Sequence, residues 1–362
     1  MKTKNKYLTV LILGFIGILV LLYKYNLSKN NISYISDNIN ENKIERKIEK
    51  FELNVLFSGD IMLDRYIRKQ INRYGSAENF VNNYLNNLRE INNEYDYVMA
   101  NLEGPITENK SKSLNEDGTY GKDLFFTFPI SSVEILKFLN IKVVSLANNH
   151  TDNFFHAGYE DTKKFLAAGD IKYFGNPYNN NLNINKDNFE KESLSEVVCE
   201  KEICIAYIGY NQFTTKVSGE IINEEIKRIK NQDKFIDFVI VMPHWGVEYD
   251  KLSNQKQKDL AHAWIDAGAD MVIGSHPHVV QESEIYKDKN IYYSLGNYIF
   301  DQWFSTDVQN GKVLDITFKK DCENNLESLK EEGEKQESCK KEIKINKELK
   351  VFIDRNGVRY ML

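Results

Sequence analysis

The chain lacks the local signatures of several common chemistries. No glycine-rich phosphate loop, no Ser-centred nucleophile elbow and no Cys-x-x-Cys occurs in its 362 residues. P-loop ATP hydrolysis, elbow-type acyl transfer and thioredoxin-type redox exchange are thereby excluded as local designs. The net charge changes sign beyond the amino terminus: residues 1–50 carry a net +5 and the remainder −11. An acidic body of this kind is not built for nucleic acid, which needs a basic footprint. It also repels a polyanion, except where a local cationic or metal centre offsets the field. Cysteine is limited to two local pairs, Cys199 with Cys204 and Cys322 with Cys339. Their spacings are not those of zinc knuckles, and two hairpin-like disulfides or free buried thiols both remain open.

Histidine is scarce too, six in all, yet four of the six fall in short segments that close predicted strands. These segments are Ser58-Gly59-Asp60, Asn101-Leu102-Glu103, Ala147-Asn148-Asn149-His150, Pro243-His244-Trp245-Gly246, Gly274-Ser275-His276-Pro277-His278 and Ser294-Leu295-Gly296-Asn297. Core histidines would not collect at strand ends. Asp60 and Glu103 offer hard oxygens, Asn149 an amide oxygen, and His244, His276 and His278 imidazole nitrogens. That donor set suits Mn, Fe or Zn, one or two ions, better than Ca or Mg. A turn aspartate at 60, a turn cap at Glu103 before Pro105 and a loop amide at Asn149 are the plainer alternatives. Proline after His276 favours an extended backbone there, and one histidine of the pair is read as a ligand while the other faces a second ion or a substrate. Glu248 reads as a carboxylate orienting His244 or as a surface ion-pair partner. Asn101 reads as a neighbour of the site that contacts it or a substrate, and Asn297 either as such a contact or as a residue that only fixes its Gly-Asn turn. His156 and His262 are left out of it.

Residues 1–6 hold three lysines, and 7–23 form an apolar run of 17 residues, the short end of a membrane-spanning helix. No small-x-small cleavage site follows. The reading is a single-pass cell-membrane anchor over 7–23 with a cytoplasmic stub (1–6), a polar tether (24–51) and an extracytoplasmic domain (52–362). Within that domain strand-like runs (53–58, 97–100, 143–147, 236–242, 271–273, 290–294, 313–318) alternate with helix-like ones (66–88, 132–139, 159–168, 254–267). This alternation predicts an α/β layered domain, with ligands gathered beyond the carboxyl ends of its strands. The Asn/Lys-rich stretch 176–191 and the Glu/Lys-rich stretch 322–344 read as solvated surface loops.

In order and content these motifs, with His-Trp-Gly-x-Glu-Tyr at 244–249 and Ser-Leu-Gly-Asn at 294–297, resemble the bacterial CapA family (PgsA in other nomenclature), capsule accessory proteins of poly-gamma-glutamate synthesis. That family is similar in turn to calcineurin-like metallophosphoesterases. The resemblance covers about 53–318 and implies a four-layer α/β/β/α sandwich behind the anchor. It implies metal ligation by Asp60, Glu103, Asn149, His244, His276 and His278, with His150 as the catalytic proton donor. Two departures stand out: Met62 replaces the histidine of the usual Asp-x-His, and Asn-x-Glu at 101–103 replaces Gly-Asp-x-x-Asp. The implied function is poly-gamma-glutamate synthesis or export, with a membrane synthetase complex and an anionic polymer as partners. A non-catalytic polymer-binding accessory and a cell-wall phosphoesterase are the alternatives.

Overall fold

The computed structural model describes residues 47–115, 117–176, 194–213, 218–232, 235–324 and 338–361. The expected anchor, residues 24–46 of the tether and nearly all of the 176–191 insertion lie outside the described residues, while the tether's expected end at 47–51 is instead the start of a strand; among the described residues, no helix is long and apolar enough to cross a membrane.

Two sheets organise the domain. The first contains β1 (Lys47–Ile61), β2 (Tyr97–Leu102), β3 (Ile141–Ser145) and β4 (Lys172–Phe174), together with β11 (Asn297–Ile299), β12 (Asn310–Asn324), β13 (Ser338–Asp354) and β14 (Gly357–Met361). Its order is β14-β13-β12-β1-β2-β3-β4, with β11 also paired to β1. The second contains β5 (Ser195–Glu200), β6 (Ile203–Asn211), β7 (Phe238–His244), β8 (Met271–Ile273), β9 (Ser283–Tyr286) and β10 (Lys289–Tyr292), in the order β5-β6-β7-β8-β10-β9. The helices are α1 (Arg65–Tyr74), α2 (Ala77–Tyr84), α3 (Asn86–Asn92), α4 (Ser132–Phe138), α5 (Phe155–Ala168), α6 (Gly219–Gln232), α7 (Gln255–Ala267) and the short α8 (Thr306–Gln309).

Strand periodicity explains the layering. Along β1, Leu53, Val55 and Phe57 enter one apolar cluster with residues of the second sheet, such as Tyr207 and Ile240. Leu56 points the other way, into a cluster with Phe80 and Val81 of α2 and Leu136 of α4. A third cluster joins the second sheet's outer face (Ile208, Val241) to Ile222 and Ile226 of α6 and Trp264 of α7. Three apolar seams between helices, sheet, sheet and helices make an α/β/β/α sandwich.

The predicted helix over 66–88 is three helices. Gly75 adopts φ +75° and closes α1, donating its N–H to Asn72 and Ile71 carbonyls, and the Ser76 side chain then caps α2 by accepting from Asn79 N–H. The stretch 322–344 is likewise not simply a surface loop. β12 and β13 occupy its two ends, and Cys322 and Cys339 are joined by a disulfide. Cys199 and Cys204 are also bonded; they face one another in the β5–β6 hairpin, whose turn residues Lys201 and Glu202 both take positive φ.

Candidate metal centre

The strands that carry the motifs run parallel, so their carboxyl ends converge. β1 pairs in parallel with β2 and β11, placing Asp60 opposite Asn101 on one side and Asn297 on the other. In the second sheet β6, β7 and β8 are parallel, and a bridge sets His244 beside Ser275. Register shifts in β1 around Ser58-Gly59 and after Asp60 re-aim this end of the strand, a role bulges take beside functional sites.

Asp60, Glu103 and His244 are buried and present donor atoms within 4.8 Å of one another. Asn101 lies between them: its amide nitrogen donates to Asp60 Oδ1 at 2.8 Å and reaches Glu103 Oε2 and His244 Nδ1, each at 3.4 Å. Asn148 fixes that orientation. It donates to the Leu102 carbonyl (2.9 Å) and to Asn101 Oδ1 (3.0 Å), while its own oxygen accepts from His150 N–H (3.1 Å).

The imidazoles form two groups. His278 Nδ1 stands 2.9 Å from Asn297 Oδ1 and 3.4 Å from Asp60 Oδ2, and its Nε2 is 3.6 Å from Glu103 Oε1. Asn297 gives its amide protons to Gln302 Oε1 and the Val308 carbonyl, so its oxygen accepts from His278 Nδ1–H. His244 Nδ1 meets Ser275 Oγ at 2.9 Å, and its Nε2 converges with Asn149 Oδ1 (2.8 Å) and His276 Nδ1 (3.1 Å). His150 adjoins both groups, 4.0 Å from Glu103 Oε1, with Nδ1 held 3.0 Å from Asn153 Oδ1 and its ring on Phe126.

Burial and charge set the protonation of this cluster. Desolvation raises Glu103 well above the ordinary carboxylate range, reinforced by Asp60 and opposed by His278. Burial works against a charged His278, but Glu103 and Asp60 overcome it and push the imidazole up to about 9. Burial pulls His276 down to about 3 and His150 to about 4, and holds His244 well below its usual value. His244 and His276 are therefore neutral nitrogen donors at pH 7.

A divalent ion fits the residues present. Glu103 Oε1 is buried with no hydrogen-bond partner; the His278 imidazole faces it only at 3.6 Å, and a buried carboxylate oxygen without a hydrogen bond calls for a proton or a closer cation. Because His278 holds a proton up to about 9, an ion entering this cluster must displace it. Metal affinity is expected to rise with pH through the neutral range, by about tenfold per unit for each proton displaced. Calorimetric titrations in buffers of differing ionisation enthalpy measure that proton release; an affinity flat between pH 6 and 8 contradicts it.

Two expectations change. The His-Pro-His segment is not extended: His276 and His278 take φ +98° and +57°, and both rings turn into one cluster, centroids 6.0 Å apart. Strained backbone of this sort persists where surrounding contacts over-determine it; here the Asp60 carboxylate accepts His276 N–H at 3.3 Å and Asn297 holds His278. Glu248 is exposed and does not orient His244, a task that falls to Ser275; its hydrogen bond is to Tyr249. Met62 sits fully buried in the outer apolar seam, its sulfur accepting Asp64 N–H at 3.1 Å. Asn148 and Ser275 were not singled out as orienting groups. Both flank predicted donors in the motifs, which was the only signal for them.

Fold and cluster together define a two-sheet α/β protein with a metal-type constellation at the carboxyl ends of its strands. The family model for "Bacterial capsule synthesis protein PGA_cap" matches residues 54–302, and the chain belongs to that family. It is 31% identical over 274 residues to the "Capsule biosynthesis protein CapA" of Bacillus anthracis, an alignment covering 71% of this chain and 62% of that protein. It is 32% identical over 265 residues to the "PGA biosynthesis protein CapA" of Bacillus subtilis (strain 168), covering 70% and 65%. The chain thus spans just under two thirds of the length of these relatives. Among solved structures, the Haemophilus influenzae NAD nucleotidase aligns over 86% of this chain and 54% of that one, at 14% identity and a TM-score of 0.39.

Proposed function

We infer that this protein acts in the synthesis or export of poly-gamma-glutamate at the cell surface, held by a membrane anchor over 7–23, with a divalent-metal centre of calcineurin-like type. The observation that carries the metal reading is Glu103 Oε1, buried without a hydrogen bond within the Asp60–Glu103–His244 group. Asp60, Glu103, Asn149, His244, His276 and His278 would hold one or two ions. Bound there, the metal supplies Lewis-acid polarisation of a phosphoryl or amide-type bond. The chain's own residues position and protonate. Ser275 and Asn297 fix the rings of His244 and His278, and Asn153 fixes His150 with its Nε2 toward Glu103. His150 is neutral in the resting site, so its proton donation requires an anionic substrate to raise it.

His150→Ala is expected to retain metal while turnover of a cleaved substrate falls by about 10²- to 10⁴-fold. Metal analysis beside a screen of γ-linked oligoglutamates and phosphodiesters measures both; unchanged turnover in the variant contradicts the role. Met62 favours a second reading, a non-catalytic accessory that binds polymer for a membrane synthetase complex. Its sulfur is committed to Asp64 N–H inside the core, so the position supplies no imidazole to the centre. In that case wild-type protein cleaves nothing in the screen.

A further inference from the structure

A cavity of about 430 Å³ beside the centre is lined by Arg65, Tyr120, Leu124, Asp301, Trp303, Phe304 and Arg355, among others. Two of its lining residues carry buried N–H donors with no partner, Arg65 Nε and Trp303 Nε1. Unpaired buried donors of this kind mark a place for an acceptor. Three further cations around it are held over rings rather than in ion pairs. Arg355 lies 5.3 Å from the Trp303 ring centroid, Lys69 4.9 Å from Tyr120, and Lys112 5.2 Å from Phe125. Among the described residues none of these three makes a salt bridge. Arg65 spans the Phe126 and Phe300 rings and pairs with Asp301, which also accepts Tyr66 N–H. Two exposed carboxylates remain, Asp123 at the rim and Asp117 near Lys69.

The lining itself is charge-balanced, Arg65 and Arg355 against Asp123 and Asp301, and Lys69 and Lys112 add positive charge beside this aromatic-lined face, which adjoins the centre. Phe126 packs on the His150 ring at 4.3 Å and Phe300 on the His278 ring at 4.8 Å. Tyr249 continues the wall, touching Phe304 (5.1 Å) and His278 (6.2 Å). Planar guanidinium and indole N–H groups beside flat apolar walls match carboxylates spaced along an amide backbone. We propose that this cavity is a carboxylate-binding subsite that seats an anionic, peptide-like chain and directs it to the cluster, with Arg65, Arg355 and Trp303 as its contacts and Lys69 and Lys112 as its outer charges. The identity of the chain as γ-linked glutamate rests on the functional reading above; the subsite itself does not depend on metal.

Tryptophan emission reports on it. Of the three tryptophans, Trp245 and Trp264 are fully buried in the far apolar seam, leaving Trp303 as the responsive one. Full-length, metal-stripped protein is titrated with a short γ-linked oligoglutamate, and in parallel with inorganic polyphosphate. The expected result is a saturable change in emission, weakened by salt, with Kd raised about tenfold or more in a Lys69→Ala/Lys112→Ala/Arg355→Ala variant. The exposed lysines of the opposite helical layer provide the control: Lys227→Ala/Lys256→Ala should leave Kd unchanged. Arg355→Ala alone, at an exposed side chain, gives a smaller shift in the same direction should the triple variant fold poorly. An unchanged Kd in both cation variants, or equally tight polyphosphate binding, overturns the proposal. Because metal is absent throughout, failure of the metal reading leaves this result unaffected.

Discussion

Gly59→Ala is expected to destabilise the domain by about 3 kcal/mol or more, near or above the upper end of ordinary overpacking. A Cβ at this position would collide with the backbone carbonyl of Gly296. That carbonyl cannot move alone, since it accepts Asp60 N–H at 3.0 Å. Relief must come from parting β1 and β11, which moves Asp60 away from Asn297 and so from His278, which Asn297 holds. Urea unfolding should show a lowered midpoint with an unchanged slope, and metal affinity should fall as well. A Gly59→Ala protein as stable as wild type would mean that the strand-to-strand approach has been misread.

Asp60→Asn is expected to weaken metal binding by about 100-fold or more, beyond what loss of a merely orienting group costs. Asp60 accepts from Asn101 at 2.8 Å and from His276 N–H at 3.3 Å while facing His278. The amide keeps the shape but removes the charge, and its NH2 then opposes the Asn101 donor. It also removes one of the two carboxylates that push His278 up to about 9, so His278 should titrate lower. Competition against a chromophoric chelator measures the affinity and histidine NMR the titration. Wild-type affinity in Asp60→Asn would remove Asp60 from the donor set.

The residues that cluster were legible because each follows a short apolar run, and the alternation of strands and helices placed them at one end of parallel sheets. What holds them was not. Arg65 with Asp301 and Asp60 with His276 are partners 236 and 216 residues apart, and no local pattern announces such pairs. The His-Pro-His segment misled because local preference for an extended backbone was overridden by contacts to Asp60 and Asn297. β13 hid in charge: Ile343, Ile345, Leu349, Val351 and Ile353 sit among lysines and glutamates, and the solvated faces outweighed the alternation. The break at Gly75 and Ser76 was readable from capping chemistry, but the apolar periodicity on either side suggested one long helix.

The most direct test of the metal centre is anomalous scattering from crystals of the protein grown with Mn. A peak within bonding distance of Asp60, Glu103 and His244, absent in Asp60→Asn crystals, is the predicted result. Well-diffracting crystals with no peak at the cluster, or with Mn bound only elsewhere, would contradict a metal centre and leave the polymer-binding accessory as the function of this chain.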